Sequence, residues 1–356
     1  MKAHNVWLSG IGVYAPPAQV ISQAETTSGP GGGAWHGQPD RVARVCVAGD
    51  MSAPDMALHA ARRALASSAA SPRDVALLIY ADVWHQGPDG WAPHSYLQRL
   101  LHLDRCLAVE QRAGCTGGFS AIELAVGYLQ QRAEADVALV VTSDNFGTKL
   151  VDRWCMGPLQ GAVGDGAAAL VVSRRPGFAR VLSTAGATFA EMEAAHREGE
   201  PLFPPPVTEG RYMDLGIRAA RFQARAIRDG RWMSLSLGHL ERAVGVVEEA
   251  LADAGSDRRD ISRVLIHSMP EQAATSYLES LGFTLDRSSW SLAEAMGHVG
   301  ASDHVLALHH LLVTGQVRHS DRVLLTGFSP GITYKAMVVE ITDTGPLRGP
   351  GPESRP

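Results

Sequence analysis

The chain has 356 residues, 45% apolar and only 19% charged, enough apolar material to bury one large core or two fused medium ones. Its 32 basic and 37 acidic side chains leave a formal charge of -5 without long runs, which gives no footprint for nucleic acid or an anionic membrane. The start lacks the apolar stretch of a signal peptide, and no later stretch reaches the roughly 18 apolar residues of a membrane span. Four scattered cysteines make neither a disulfide framework nor a zinc motif. A cytoplasmic protein with reduced thiols is expected, with no metal or bound cofactor, acting on small molecules or carrier proteins.

In chain order, apolar runs alternate with helical patterns: Val6 to Val13, then Ala53 to Ser68, then Val75 to Tyr80, and onward. This alternation predicts an α/β layered fold, and continuous rather than alternating runs predict strands buried on both faces. An internal echo stands out. Ala64 to Tyr80 lines up without gaps on Ala250 to Ile266 at an offset of about 186, and Asp136 to Thr142 falls on Asp321 to Thr326 at nearly the same offset. Two similar halves follow, over 1–175 and 236–343, joined by a connecting region over 176–235 that covers the substrate entrance. Within it, Thr188 to Trp232 carries Pro204-Pro-Pro206 and reads as a loop-and-helix insertion. Ser28 to Gly33 and a tail over 344–356 read as poorly ordered.

In Gln111-Arg-Ala-Gly-Cys115-Thr-Gly-Gly-Phe-Ser120, a glycine-flanked cysteine precedes the helical pattern Ala121 to Leu129. Unpaired amides and the positive helix end favour a thiolate there, which makes Cys115 a candidate nucleophile. Cys46, Cys106 and Cys155 lack that setting and read as structural. In the second half His267 ends the strand Val264 to Ile266. Met296-Gly-His298-Val-Gly-Ala-Ser-Asp303-His304 echoes the cysteine segment, with Gly300 falling on Gly114. Asp303 alone reads as a helix N-cap.

The cysteine segment resembles the active-site segment of ketoacyl-ACP synthase III enzymes. Gly161-Ala-Val-Gly-Asp165-Gly is similar to their glycine-rich turn, and Gly327-Phe-Ser-Pro-Gly331 to their closing loop. The resemblance spans nearly the whole chain and implies a duplicated five-layer αβαβα thiolase fold. It also implies a homodimer acting on thioesters of coenzyme A or acyl carrier protein. Two departures bear on activity. His267-Ser-Met-Pro270 replaces the family's His-Gln-Ala-Asn, and Gly297-His298 replaces its Gly-Asn, so the asparagine that helps stabilise the decarboxylation enolate is missing. The pattern resembles a variant branch of polyketide and specialised pathways that moves acyl groups to a hydroxyl, an amine or a carrier protein.

Read this way, Cys115 is the nucleophile, His267 or His298 the general base, and Asp303 the orienting acid. Backbone of Cys115 and of Gly327, Phe328, Ser329 and Gly331 would hold the thioester oxyanion, with His196 a further substrate-side candidate. Decarboxylative condensation with a malonyl thioester and a non-catalytic thiolase-fold partner are the alternatives. Gly327-Phe-Ser329-Pro-Gly331 also fits G-x-S-x-G, but Pro330 and the β-branched run Ala336 to Ile341 predict a hairpin instead of a nucleophile elbow. Gly10-Ile-Gly12 lacks the third glycine of a dinucleotide site. His304, His309 and His310 are read as lying on a solvated helix. The helical spacing of Arg218, Arg221, Arg225 and Arg228 reads as a solvated face, with contact to a carrier phosphopantetheine the alternative.

Overall fold

The computed structural model describes residues 1–20 and 44–343 apart from 84, 133, 155, 157–160 and 205–208. Ser28 to Gly33, the tail after 343 and Cys155 lie outside the described residues. The first half holds β1 (Trp7–Tyr14), β2 (Ala18–Val20), β3 (Arg44–Cys46), α1 (Ala53–Ala66), β4 (Val75–Asp82), α2 (Pro93–Leu100), β5 (Leu107–Arg112), α3 (Gly117–Gln131), β6 (Val137–Asp144) and β7 (Gly166–Ser173). After β8 (Ala179–Thr188) and α4 (Leu215–Arg228) come α5 (Trp232–Ala254), β9 (Ile261–Ile266), α6 (Glu271–Ser280), α7 (Trp290–Met296), α8 (Asp303–Val313), β10 (Arg322–Ser329) and β11 (Thr333–Ile341).

Nine strands run in the order β5-β4-β6-β7-β1-β8-β11-β10-β9, and β2 pairs with β3 apart from them. The β1–β8 seam is short, with only Trp7↔Arg180 and Leu8↔Ala179 in register. On either side the order mirrors: β6 is parallel to β4 and antiparallel to β7, while β10 is parallel to β9 and antiparallel to β11. β5 pairs in parallel with β4, and its counterpart in the second half shrinks to a single parallel bridge, Val264↔Ser288.

The central core explains the layers. One apolar cluster joins Ile122, Val126 and Leu129 of α3 and Val305, Leu308 and Leu312 of α8 to Ile79 and Val140 of one arm and Val323 and Val339 of the other. The two inner helices therefore lie between the two arms of the sheet. Outside, α1 covers β6 and β7 through Met56, Ala60 and Ala64, and α5 covers β8 and β11 through Val246, Val247 and Ala250. Helix, strand, helix, strand, helix is the five-layer order. Gly10 and Gly12, which begin a dinucleotide-like pattern, serve packing: a Cβ at either would overlap the α1 backbone at Ala64 or Ala60.

The echo is structural as well. α3 starts at Gly117 and α8 at Asp303, 186 residues apart, each after a short 3-10 turn. Gly114 and Gly300, the paired glycines, sit at φ +57° and +55°, the left-handed region that glycine enters freely. For His304 the reading as solvated is overturned, while His309 and His310 are half-buried. α8 is an inner-layer helix, and His304 is 4% exposed with its Nε2–H donating to the Thr326 carbonyl at 3.0 Å. Among the described residues, no helix is long and apolar enough to cross a membrane.

Candidate active site

Cys115 and His267 follow the ends of parallel strands, the usual place for sites in such sheets, and His298 and Asp303 meet them at the start of an inner helix. β5 runs out at Arg112 and delivers Cys115 through the Gly114 turn to the α3 N-terminus. β9 delivers His267, and the loop after α7 delivers His298 and Asp303 to the α8 N-terminus. The two helix starts can abut because α3 opens on glycines. A Cβ on Gly118 would come to 2.8 Å from the Ala301 carbonyl oxygen, and one on Gly117 to 3.3 Å from the Ala301 Cβ. Gly114 does the same for the closing loop, where a Cβ would lie 2.8 Å from Pro330 Cδ.

That approach assembles a hydrogen-bonded line. His298 Nε2 lies 2.9 Å from Cys115 Sγ, and its Nδ1–H donates to Asp303 Oδ2 at 2.6 Å. Asp303 is held in turn by the Ser268 and Val299 amides, which donate to Oδ2 and Oδ1 at 2.6 Å each. Its carboxylate thus orients the histidine and fixes its own loop together with the β9 end; the N-cap of α8 is Ser302, not Asp303. Cys115, His298 and Asp303 are all buried. The geometry selects His298 over His267 as the group on the thiol.

Charge follows geometry. Burial by itself would lower the His298 pKa, but the Cys115 sulfur and the Asp303 carboxylate, charged and hydrogen-bonded to the ring, more than offset it and hold it well above 6.5. Burial would likewise raise the Asp303 carboxyl, and the His298 charge and hydrogen bond bring it below the ordinary range. His298 therefore rests as an imidazolium, hydrogen-bonded between Cys115 Sγ and Asp303 Oδ2. His267 is different: burial, then the charges of His298 and His304, push it well below 6.5. Its Nδ1 has no hydrogen-bond partner among the described residues, and its ring stands edge-on to Phe328 at 4.8 Å. Burial takes His304 down to about 4. One charged and two neutral imidazoles share the site.

The closing loop borders it. Gly327 lies under the two neutral rings, since a Cβ there would approach His267 Nδ1 to 2.7 Å and His304 Nε2 to 3.2 Å. Ser329 Oγ hydrogen-bonds Thr116 Oγ1 at 2.8 Å, and Gly331 takes φ +135°. Gly327-Phe-Ser-Pro-Gly331 joins β10 to β11 as an antiparallel hairpin, so Ser329 is no hydrolase elbow. His196 ends the 3-10 segment Ala190–His196; its carbonyl accepts from Arg218 Nη1 at 3.1 Å, and burial lowers its pKa. Among the described residues it makes no hydrogen bond to the Cys115–His298–Asp303 line. Nor is the arginine face fully solvated: Arg218 is 9% exposed, and Arg225 pairs with Glu198 at 2.7 Å. Cys46 and Cys106 are each raised to about 11, chiefly by burial, as inert packing thiols are.

Sequence reasoning missed Ser268, whose amide holds Asp303, and Asp144, whose carboxyl group braces the His298 loop from β6. The signal in the sequence was an acid closing the strand run Val137 to Asp144.

Comparison with known proteins agrees with this fold. The family described as 3-oxoacyl-[acyl-carrier-protein (ACP)] synthase III matches residues 109–188, and its C-terminal domain matches 251–341. A beta-ketoacyl-[acyl-carrier-protein] synthase III of Sphingopyxis alaskensis is 27% identical over 296 residues, 82% of this chain and 85% of that protein. The solved structure of ChlB3, titled an "Aceyltransferase", is 36% identical, covers 96% of this chain and 99% of its own, and superposes with a TM-score of 0.86. The synthase FabH of Pseudomonas aeruginosa PAO1 shares the fold, with a TM-score of 0.71 at 21% identity over 95% of this chain and 98% of that one.

Proposed function

Because the chain belongs to the 3-oxoacyl-[acyl-carrier-protein] synthase III family, we propose that it is an acyltransferase. In this reading it loads an acyl group from a coenzyme A or acyl-carrier-protein thioester onto Cys115 and passes it to a hydroxyl, amine or thiol acceptor. The observation that carries the reading is the Asp303–His298–Cys115 line at 2.6 and 2.9 Å. A histidine backed by a carboxylate is built to take and return a proton, whereas an enolate left by decarboxylation calls for neutral donors aimed at an oxyanion. The donor brings its own thiol carrier, and the reaction draws on no further cofactor. The likeness to ChlB3, titled an "Aceyltransferase", supports the same choice.

Loading begins with the Cys115 thiolate attacking the donor carbonyl. The tetrahedral oxyanion is held by backbone amides of Cys115 and the Gly327–Gly331 loop, and the departing carrier thiolate takes the proton from His298 Nε2. Acylation removes the negative charge that kept His298 protonated, so the ring is left as a neutral base with Asp303 still behind it. In the second half-reaction the acceptor gives its proton to Nε2 as it attacks the Cys115 thioester. Collapse expels the Cys115 thiolate, which pairs with the new imidazolium. Each proton taken is returned, and no carbon dioxide is formed.

The test is intact-protein mass spectrometry of wild type and Cys115→Ala with a panel of acyl-CoA and acyl-carrier thioesters. An acyl mass increment in the wild type and none in the variant is expected; no increment with any thioester would overturn the reading.

A further inference from the structure

We infer that Asp144, outside the catalytic line, is the positioning residue that aims His298 at Cys115. The inference rests on the reading of Cys115 and His298 as the working pair and adds what holds that pair in register. Asp144 ends β6 and is fully buried. Its Oδ1 accepts the Val83 amide at 2.8 Å and its Oδ2 the Ala301 amide at 3.2 Å, so one buried carboxyl group ties the exit of β4 to the His298 loop across 157 residues of sequence. Both oxygens accept from backbone donors, an arrangement that fixes main chain.

The loop is shaped around this side chain. A Cβ on Gly300 would overlap Asp144 Oδ2, so the left-handed turn at φ +55°, two residues after His298, needs both the freedom and the bareness of glycine. Two residues back along the same strand, Thr142 Oγ1 meets Ser302 Oγ at 2.8 Å. On the other flank the His298 backbone is clamped to the first half: its amide donates to the Ala162 carbonyl at 2.9 Å and its carbonyl accepts from the Gly164 amide at 2.9 Å. Without Asp144 the loop would keep the Ala162 and Gly164 clamp, the Thr142–Ser302 contact and the Asp303 bonds, but lose its tie to the β4 exit at Ala301, three residues after His298. The imidazole would then sit short of or beyond the sulfur, and a misplacement near 1 Å is enough to cost about a hundredfold in such chemistry.

The experiment is the pH profile of Cys115 alkylation by iodoacetamide, read by peptide mass so that the other three cysteines do not contribute, in wild type, Asp144→Asn and His298→Asn, alongside thermal melts. It needs no acyl donor, and therefore separates this inference from the proposed function. Alkylation of the Asp144→Asn protein near pH 6 should fall about tenfold or more, its profile moving towards that of His298→Asn. A profile superimposable on wild type with only a lowered melting temperature would show Asp144 to be purely structural and overturn the inference. Should Asp144→Asn fail to fold, Asp144→Ser is read in the same way. A wild-type profile matching His298→Asn would instead sink the underlying pairing of Cys115 with His298.

Discussion

Asp303 shows how much one carboxylate is asked to do. It accepts three hydrogen bonds, two from amides and one from His298 Nδ1, each at 2.6 Å. An amide in its place keeps the shape but presents an N–H where an acceptor is required, and it leaves His298 free to take the wrong tautomer. Asp303→Asn should therefore still fold, with a lowered melting temperature, and lose about 10² to 10⁴ in the rate of acyl-enzyme formation. Stopped-flow acylation followed by mass would check it, and a rate within a few fold of wild type would remove Asp303 from the catalytic line. The sequence made Cys115, His298 and Asp303 legible as types, because a glycine-set thiol and a His-x4-Asp run stand at matching offsets. It could not choose between His267 and His298. Both end elements, and the choice depends on a contact 183 residues long that only the abutting helix starts create.

At the level of elements, the ends of β4 and β5 carry a cost of their own. Asp82 is fully buried with neither carboxylate oxygen hydrogen-bonded among the described residues, and burial, then the nearby Glu110, raise it from 3.8 to about 7. Its folded pKa lies above its unfolded one, so the folded state holds the proton more tightly. That contribution is fully present below about pH 4, is lost as pH rises, and is gone above about pH 7. Asp82→Asn removes the titration. It should leave stability near wild type at pH 4 and raise it at pH 8, by roughly 1–3 kcal/mol if the amide finds Glu110 as acceptor. Urea unfolding at the two pH values checks this, and an equal change at both would refute it. None of this was readable from Ala81-Asp82-Val83, since pairing Tyr80 with Glu110 and Asp82 with Arg112 is a matter of strand register. His304 was misread for a related reason. An inner-layer helix has no polar face, so the pattern that usually separates core from surface is missing.

Taken whole, the molecule is two related arms whose inner helices meet end to end, and the site exists only at that meeting. The duplication was legible because it is written in helix-strand units at one offset, and α3 and α8 start 186 residues apart as the echo requires. What the echo could not carry is the asymmetry. β5 has only a single bridge for a counterpart, and of the two matched turns one holds the thiol and the other the base and its acid. The proposed reaction uses that division: the acyl chain would rest on the half that carries Cys115 while His298 and Asp303 of the other half manage the proton.

The central claim, transfer without decarboxylation, is tested most directly by isolating the acyl-Cys115 enzyme and following its intact mass after adding either a malonyl thioester or a panel of hydroxyl, amine and thiol acceptors. The account predicts that the adduct persists with the malonyl thioester and is discharged by an acceptor nucleophile. Discharge by the malonyl thioester with release of carbon dioxide would contradict it and make the protein a condensing enzyme.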